Sequence, residues 1–518
     1  MLFDRKKNTK RNIIWGIISR TIFLFLPFAS RTLIIYRLGI NYVGLSSLFS
    51  SLLTTFSLAE LGFGVAIVTI MYKSASLNDI KTLCSLLRVI KYAYLFVGFV
   101  ILIFGSLCIP FLKYFINDYK SIPHNINIYI LFMLFLLNSV FSYWFGSYRS
   151  CIFEIYQRQD IISRINCIVY FFVFIFQVLF LLITNNYYIY VILMIFNTVI
   201  TNILLYLKAK KKYPLVVPKG KLKKEEKKSL FKTISGSFYA RLGSVLSVSF
   251  DNLVVSTFLG VVVLGYYSNY AYIITTLQGF LMIIYGSMQS SIGNSITTES
   301  TEKNFSDLMK FTYLFNWLVC WTTTCLFYLI NPFIKIWIGE NGVLPIVVVI
   351  FLTIYYYVTI CCGVQGTYKA AAGIWWEDRH RCLIGGLVNL LINILLVICL
   401  KPLGEQYALC GVIVSTIISY VFIQIPWSIS ITFKKLFLTG CKNYCLHLIY
   451  YGLATVITIL ITAPLMWIIS KSFDLFLIEI ILKLLVLLIW PNIIYMLLTF
   501  KDKNFIEAKK FIIDMLRR

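Results

Sequence analysis

Apolar runs of helix length succeed one another along nearly the whole chain, separated by short polar connectors. A helix rises 1.5 Å per residue, so about 20 mostly apolar residues span the hydrocarbon of a bilayer. Fourteen stretches meet that length: 12–38, 44–72, 84–112, 124–147, 161–184, 187–207, 231–258, 263–296, 308–331, 343–373, 382–400, 405–432, 443–470 and 475–499. They predict an all-α membrane protein of about 14 transmembrane helices. Composition agrees. The 518 residues are 59% hydrophobic and 13% charged, with a mean hydropathy of +0.84, more apolar surface than a water-soluble chain could bury.

The polar connectors are not equivalent. Alternate loops carry most of the basic residues, and cytoplasmic loops are the ones that retain Lys and Arg. With both termini in the cytoplasm, 37 of the 47 Lys and Arg fall on the inner side. Six fall outside (Arg37, Lys113, Lys120, Lys335, Lys401 and Lys471), and four lie within spans (Arg20, Arg31, Arg241 and Lys483). The formal net charge of +26 is then a feature of loops held at an anionic inner leaflet, and no nucleic-acid partner is expected. The basic N-terminus runs into a stretch too long for the core of a cleavable signal.

Candidate chemistry is sparse. The 13 cysteines lie mostly inside spans, and the three histidines (His124, His380 and His447) have no metal-ligand spacing, so neither a disulfide framework nor a metal site is expected. There is no phosphate-binding loop, no HExxH and no nucleophile elbow. The sequence therefore predicts no catalytic residue and no cofactor, and a transporter rather than an enzyme.

The segment 208–232 holds two prolines, a glycine and the densest charge. It reads as a cytoplasmic linker between two lobes. An offset of 221 aligns the lobe before the linker with the lobe after it: Arg20 with Arg241, Arg31 with Asn252, Leu38 with Leu259, Gly39 with Gly260, Gly44 with Gly265, and Ser47 with Ser268. The expected organisation is a six-helix lobe over 1–207, the linker at 208–230, a second six-helix lobe over 231–432, and an extra helix pair with a tail at 433–518. Two parallel repeats of this kind enclose a central cavity in many transporters.

Charges inside spans are costly, and they face a cavity or a partner. Arg20 and Arg31 are 11 residues apart, about three turns, on nearly one face of the first helix, with Pro27 between them. Arg241 and Asn252 repeat the spacing. A guanidinium keeps its charge and binds phosphate in a fixed fork, so Arg20, Arg31 and Arg241 are candidate cavity cations for an anionic substrate. Arg88 and Lys91, near the start of the third helix, suit a phosphate at headgroup level or serve as topological anchors. Glu60 and Asp251 are the acids deepest in the spans. They read either as groups coupled to H⁺ or Na⁺ or as ion-pair partners of these arginines. Lys483 stands alone among apolar residues of the last span.

Two segments resemble a known family. NYVGLSSLFSSLLTTFSLAELGFGVAI is similar to the early segment of Wzx-type polysaccharide repeat-unit flippases, in the multidrug/oligosaccharidyl-lipid/polysaccharide exporter superfamily. YKAAAGIWWEDRHRCLIGGLVNLLINILLVICLKPLGEQYALCGVIVSTIISY resembles the family's helix 10 to helix 12 signature, with Asn389-Leu390 opening one helix and Gly411, Ser415, Thr416 and Ser419 in the next. Ala408 stands where that pattern has its first glycine. The resemblance implies a flippase in the bacterial inner membrane. It would carry undecaprenyl-diphosphate-linked oligosaccharide, destined for O-antigen, capsule or exopolysaccharide, from the cytoplasmic to the periplasmic leaflet by alternating access. Membrane lipids, a polysaccharide polymerase and glycosyltransferases would be its partners. The competing readings are a cation-coupled drug antiporter of the same superfamily, which needs acids to dominate the cavity, and a membrane polysaccharide polymerase, which needs a larger external loop.

Overall fold

A computed structural model describes all residues except 1–4, 58–62, 120–121, 223–241, 244, 246–248, 473–475 and 517–518. Its regular elements are all helical among the described residues. Twelve of those helices are long and apolar enough to cross a membrane. Further helix occupies 40–56, 63–76 and 249–259, overlapping the other two predicted stretches, 44–72 and 231–258. The protein is a multi-pass membrane protein, and its contacts gather into two compact units, 1–268 and 269–518.

The first unit contains α1 (Arg5–Arg37), α2 (Ile40–Phe56), α3 (Phe63–Ser76), α4 (Ile80–Cys108), α5 (Ile128–Tyr143), α6 (Ser150–Ile155), α7 (Gln159–Thr184), α8 (Tyr187–Lys212) and the start of α9 (Val261–Thr298). Local chemistry sets the helix ends. Asp79 caps α4 by accepting from the Thr82 amide at 3.1 Å. Asn127 caps α5 and Asn186 caps α8 in the same way. Each supplies an acceptor to a donor that the helix leaves unused. One core joins α3, α4, α6 and α7 through Ile67, Leu83, Leu87, Ile152, Phe153 and Ile161. The first part of the predicted linker belongs to it, since Tyr213, Val216 and Leu222 are buried there.

The sequence repeat has a structural counterpart at the turn before α2 and the turn before α9. Gly39 has φ +112 and Gly260 φ +94, values that a side chain would oppose.

The second unit holds the remainder of α9 with α10 (Thr301–Ile338), α11 (Ile346–Ile360), α12 (Gly363–Ala371), α13 (Arg379–Leu400), α14 (Glu405–Ser419), α15 (Ile425–Thr432), α16 (Lys442–Ser472), α17 (Phe476–Thr499) and α18 (Lys503–Leu516). The extra pair, α16 and α17, docks along α10. Pro491 has no N–H, so the Leu487 carbonyl one turn earlier loses its helical donor. Trp321 Nε1 donates to that carbonyl at 2.9 Å instead. Trp317 Nε1 donates to Asn492 Oδ1 at 2.9 Å, and the Tyr328 hydroxyl to the Ile459 carbonyl at 2.6 Å. The tail is a helix as well, and Ala508 is buried among Tyr313, Tyr451 and Tyr495.

Candidate functional site

The predicted site residues do not gather at one point. Arg31 is half-buried, and its Nη2 donates to Ser268 Oγ. Asn252, its repeat equivalent, donates from Nδ2 to Ser51 Oγ at 2.9 Å. The two contacts are reciprocal, because each residue reaches from the helix before the glycine turn to the helix after the other turn. Asp251 is half-buried beside Asn252. Arg20 is exposed, and α1 begins early enough to make it the sixteenth residue of the helix. The apolar span of α1 begins only at Ile14, so Arg20 lies about 9 Å into it, nearer its start than a span beginning at residue 12 would place it.

Arg88 lies on α4, near its start. Its Nη1 donates to the Gly220 carbonyl at 3.0 Å, and its guanidinium sits 5.6 Å from the Tyr92 ring centroid. Lys91 is half-buried one turn further along. Arg88 therefore clamps the start of the linker onto α4. Glu60 and Arg241 lie outside the described residues.

Lys483 does not stand alone. Its ammonium is 2.6 Å from Glu479 one turn earlier, and Glu479 also accepts from Ser470 Oγ at 2.8 Å. Only spacing on α17 was needed to see the pair.

The second unit contains a charged constellation that the loop-by-loop charge count passed over. Lys369 on α12 is 2.5 Å from Asp378 Oδ2, and both side chains are 7% exposed. Arg381, in the first turn of α13, donates from Nε to both Asp378 oxygens at 2.8 and 2.9 Å. One carboxylate thus serves two cations and leaves a net positive charge. Ser428 accepts from Lys369 at 2.9 Å, and Arg381 Nη1 reaches Gln424 Oε1 at 3.3 Å. Gln424 comes into position through a π-helical turn, Tyr420–Gln424, the kind of insertion that often marks a working site.

Lys369, Arg381, Gln365, Gln424, Tyr285 and Gln289 help line a cavity of about 440 Å³. A fixed cation pair bordering a hollow of mixed polar and apolar lining is suited to an anion. It offers guanidinium donors, and it has a carboxylate that can release a cation to an incoming phosphate. The sequence signal was present. Asp378 and Arg381 are one helical turn apart, and Lys369 precedes Asp378 by nine residues. Counted as cytoplasmic loop charge, these residues hid their pairing. Arg149 was missed for the same reason: it is 4% exposed and stacks 4.6 Å from the Tyr206 ring.

The motif residues that carried the family resemblance join two helices. Ser415 and Thr416 on α14 donate to Asn389 Oδ1 on α13 at 2.9 and 3.3 Å, and Ser419 Oγ donates to the Gly385 carbonyl at 2.8 Å. Small polar residues that bond between helices are a common adhesive within membranes.

No protein-family model matches the sequence, and no curated protein is similar to it in sequence. Solved structures are similar in fold. One is the lipid II flippase MurJ in an inward closed conformation, with a TM-score of 0.59 and 17% identity, covering 93% of this chain and 98% of that one. Another is a multidrug resistance MATE family transporter of the MOP superfamily, inward-facing, with a TM-score of 0.59 and 12% identity, covering 82% of this chain and 99% of that one. A Vibrio cholerae MATE transporter gives a TM-score of 0.52 at 11% identity, over 84% of this chain and 99% of its own. The chain has the fold that these transporters share.

Proposed function

We propose that the protein is a flippase for lipid-linked oligosaccharide and that it moves undecaprenyl-diphosphate-linked repeat units from the cytoplasmic to the periplasmic leaflet of a bacterial inner membrane. The observation that carries this reading is how the coverage differs. Residues 433–518 make up about a sixth of the chain, so the match to MurJ over 93% has to include most of them, whereas the MATE match over 82% does not. A C-terminal extension matched at least in part by a lipid II flippase supports a lipid-linked substrate. The buried charge also favours an anion: Arg31, Arg149 and the Lys369–Asp378–Arg381 cluster are net positive, which disfavours a cationic drug.

In this reading a polar cavity shields the sugars while the polyprenyl tail stays in lipid. Arg20, Arg31 and Arg241 meet the diphosphate, Arg88 and Lys91 act at the headgroup level, and Glu60 and Asp251 couple reset to H⁺ or Na⁺. The cluster around Lys369 supplies a second anion subsite. Glycosyltransferases would make the substrate and a polymerase would consume the product. The test is depletion in cells. The reading requires lipid-linked oligosaccharide to accumulate on the inner leaflet, out of reach of an externally added sugar-binding probe. Normal surface polysaccharide after depletion would overturn it.

A further inference from the structure

A second basic hollow lies in the first unit and contains none of the groups assigned to the substrate. It is a groove of about 920 Å³ between the start of α1, the start of α7 and the end of α8. Its cations are Arg11, Arg158, Arg164, Lys208, Lys211 and Lys212, and the one carboxylate among its lining residues is Asp160. That carboxylate is already engaged. Arg158 holds it through Nε at 2.7 Å and Nη2 at 2.8 Å, and its backbone N–H donates to Asn12 Oδ1 at 2.8 Å. Arg158 and Asp160 cancel, which leaves five cations on three helices and no second acid among the described lining residues.

The rest of the wall is apolar. Trp15, Ile165, Ile168, Leu204 and Leu207 line it, and the Arg164 guanidinium lies 5.6 Å from the Trp15 ring. Ile168, Leu204 and Leu207 are 43%, 41% and 53% exposed, so the apolar wall leads out of the groove onto the lipid-facing flank of α7 and α8. Phe171 and Phe172 continue it at 46% and 58% exposed. A soluble anion would have no use for that wall, and a nucleic acid could not reach along it. A molecule with a phosphate at one end and hydrocarbon at the other matches both parts.

We propose that this groove is a binding site for an anionic glycerophospholipid. The phosphate sits among Arg164, Lys208 and Lys211, and an acyl chain lies along Ile168 and Leu207. Basic pockets between transmembrane helices recognise lipid headgroups in this manner. The site is independent of the identity of the transported substrate, and of which membrane face this end occupies.

The experiment is native mass spectrometry of the full-length protein in detergent, titrated with phosphatidylglycerol. A cation near a lipid surface contributes about fivefold in affinity, so Arg164→Gln, Lys208→Gln and Lys211→Gln together should weaken retention about 100-fold. Removing three cations elsewhere, with Lys434→Gln, Lys435→Gln and Lys442→Gln, should leave retention unchanged. A photoactivatable phosphatidylglycerol should label peptides that contain Ile168 or Leu207. If the triple variant does not fold, Arg164→Gln alone is expected to lose about fivefold. Four results overturn the proposal: phosphatidylcholine retained as strongly, equal loss in the control variant, displacement by millimolar inorganic phosphate, or preferential displacement by a polyprenyl diphosphate. The last would make the groove a loading site for substrate.

Discussion

Gly44 and Gly265 pack backbone to backbone. A Cβ on Gly44 would lie 2.0 Å from the Val261 carbonyl oxygen, and one on Gly265 would lie 2.7 Å from the Ile40 oxygen and 3.4 Å from the Gly44 nitrogen. Ile40 and Val261 are themselves equivalent under the 221-residue offset, so the contact is symmetrical: each glycine rests on the first turn of the other's helix. Without side chains, α2 and α9 approach as small-residue helices do in membranes.

That contact predicts a steric result. A carbonyl cannot rotate aside, so Gly44→Ala should force α2 away and cost about 1–3 kcal/mol. Gly16→Ala should be neutral or slightly stabilising, because nothing lies within 4 Å of its Cβ position and alanine favours helix by about 1 kcal/mol. Thermal unfolding of the two variants in detergent compares them. Equal midpoints would remove the argument for close approach.

Asp378 answers to two cations, so Asp378→Asn should do more harm than loss of one ion pair. Lys369 and Arg381 would then face each other with no anion between them. Stripping one partner from a buried pair costs about 3–5 kcal/mol. Lys369→Met should relieve part of that loss in the double variant. A double-mutant cycle on unfolding midpoints measures the coupling, and additive losses would show that the three groups are independent.

The C-terminal pair should loosen from α10 when one indole is changed. Trp321→Phe keeps most of the packing and removes the donor that compensates for Pro491, leaving the Leu487 carbonyl without it. The expected loss is about 1 kcal/mol. It should appear as faster hydrogen exchange over α17, with little change over α7 and α8. Unchanged exchange at α17 would mean that the indole is not what holds the pair.

Transport should separate charge from shape. Arg20→Ala, Arg31→Ala and Arg241→Ala are expected to lower surface polysaccharide at normal protein levels, with Lys restoring only part, because ammonium lacks the forked geometry. Glu60→Gln is expected to remove the dependence of flipping on an imposed ion gradient in vesicles while substrate still binds. Flipping by the wild type that ignores both H⁺ and Na⁺ gradients would make Glu60 and Asp251 structural.

Orientation depends on charge alone and is tested alone. An alkaline phosphatase reporter fused after Arg518 should be inactive, since the C-terminus is expected in the cytoplasm. High periplasmic activity would reverse the topology.

By itself the sequence determined the all-helical, membrane-spanning architecture and roughly how many spans it has, because the bilayer imposes a length and an apolar composition that few other structures need. It also determined the repeat at its turns, since only glycine takes the backbone angles of Gly39 and Gly260 without strain. What it could not determine was pairing. Lys369 and Asp378 are close in sequence, yet the contribution of Ser428 and Gln424 depends on how α15 and a π-turn settle against α12 and α13. Lys208 and Lys211 read as topological charge until α1 and α7 close a groove beside them. Burial and partnership are set by packing between distant segments. A charge count along one dimension records each cation, but only the tertiary structure decides whether that cation faces water, a carboxylate or a cavity.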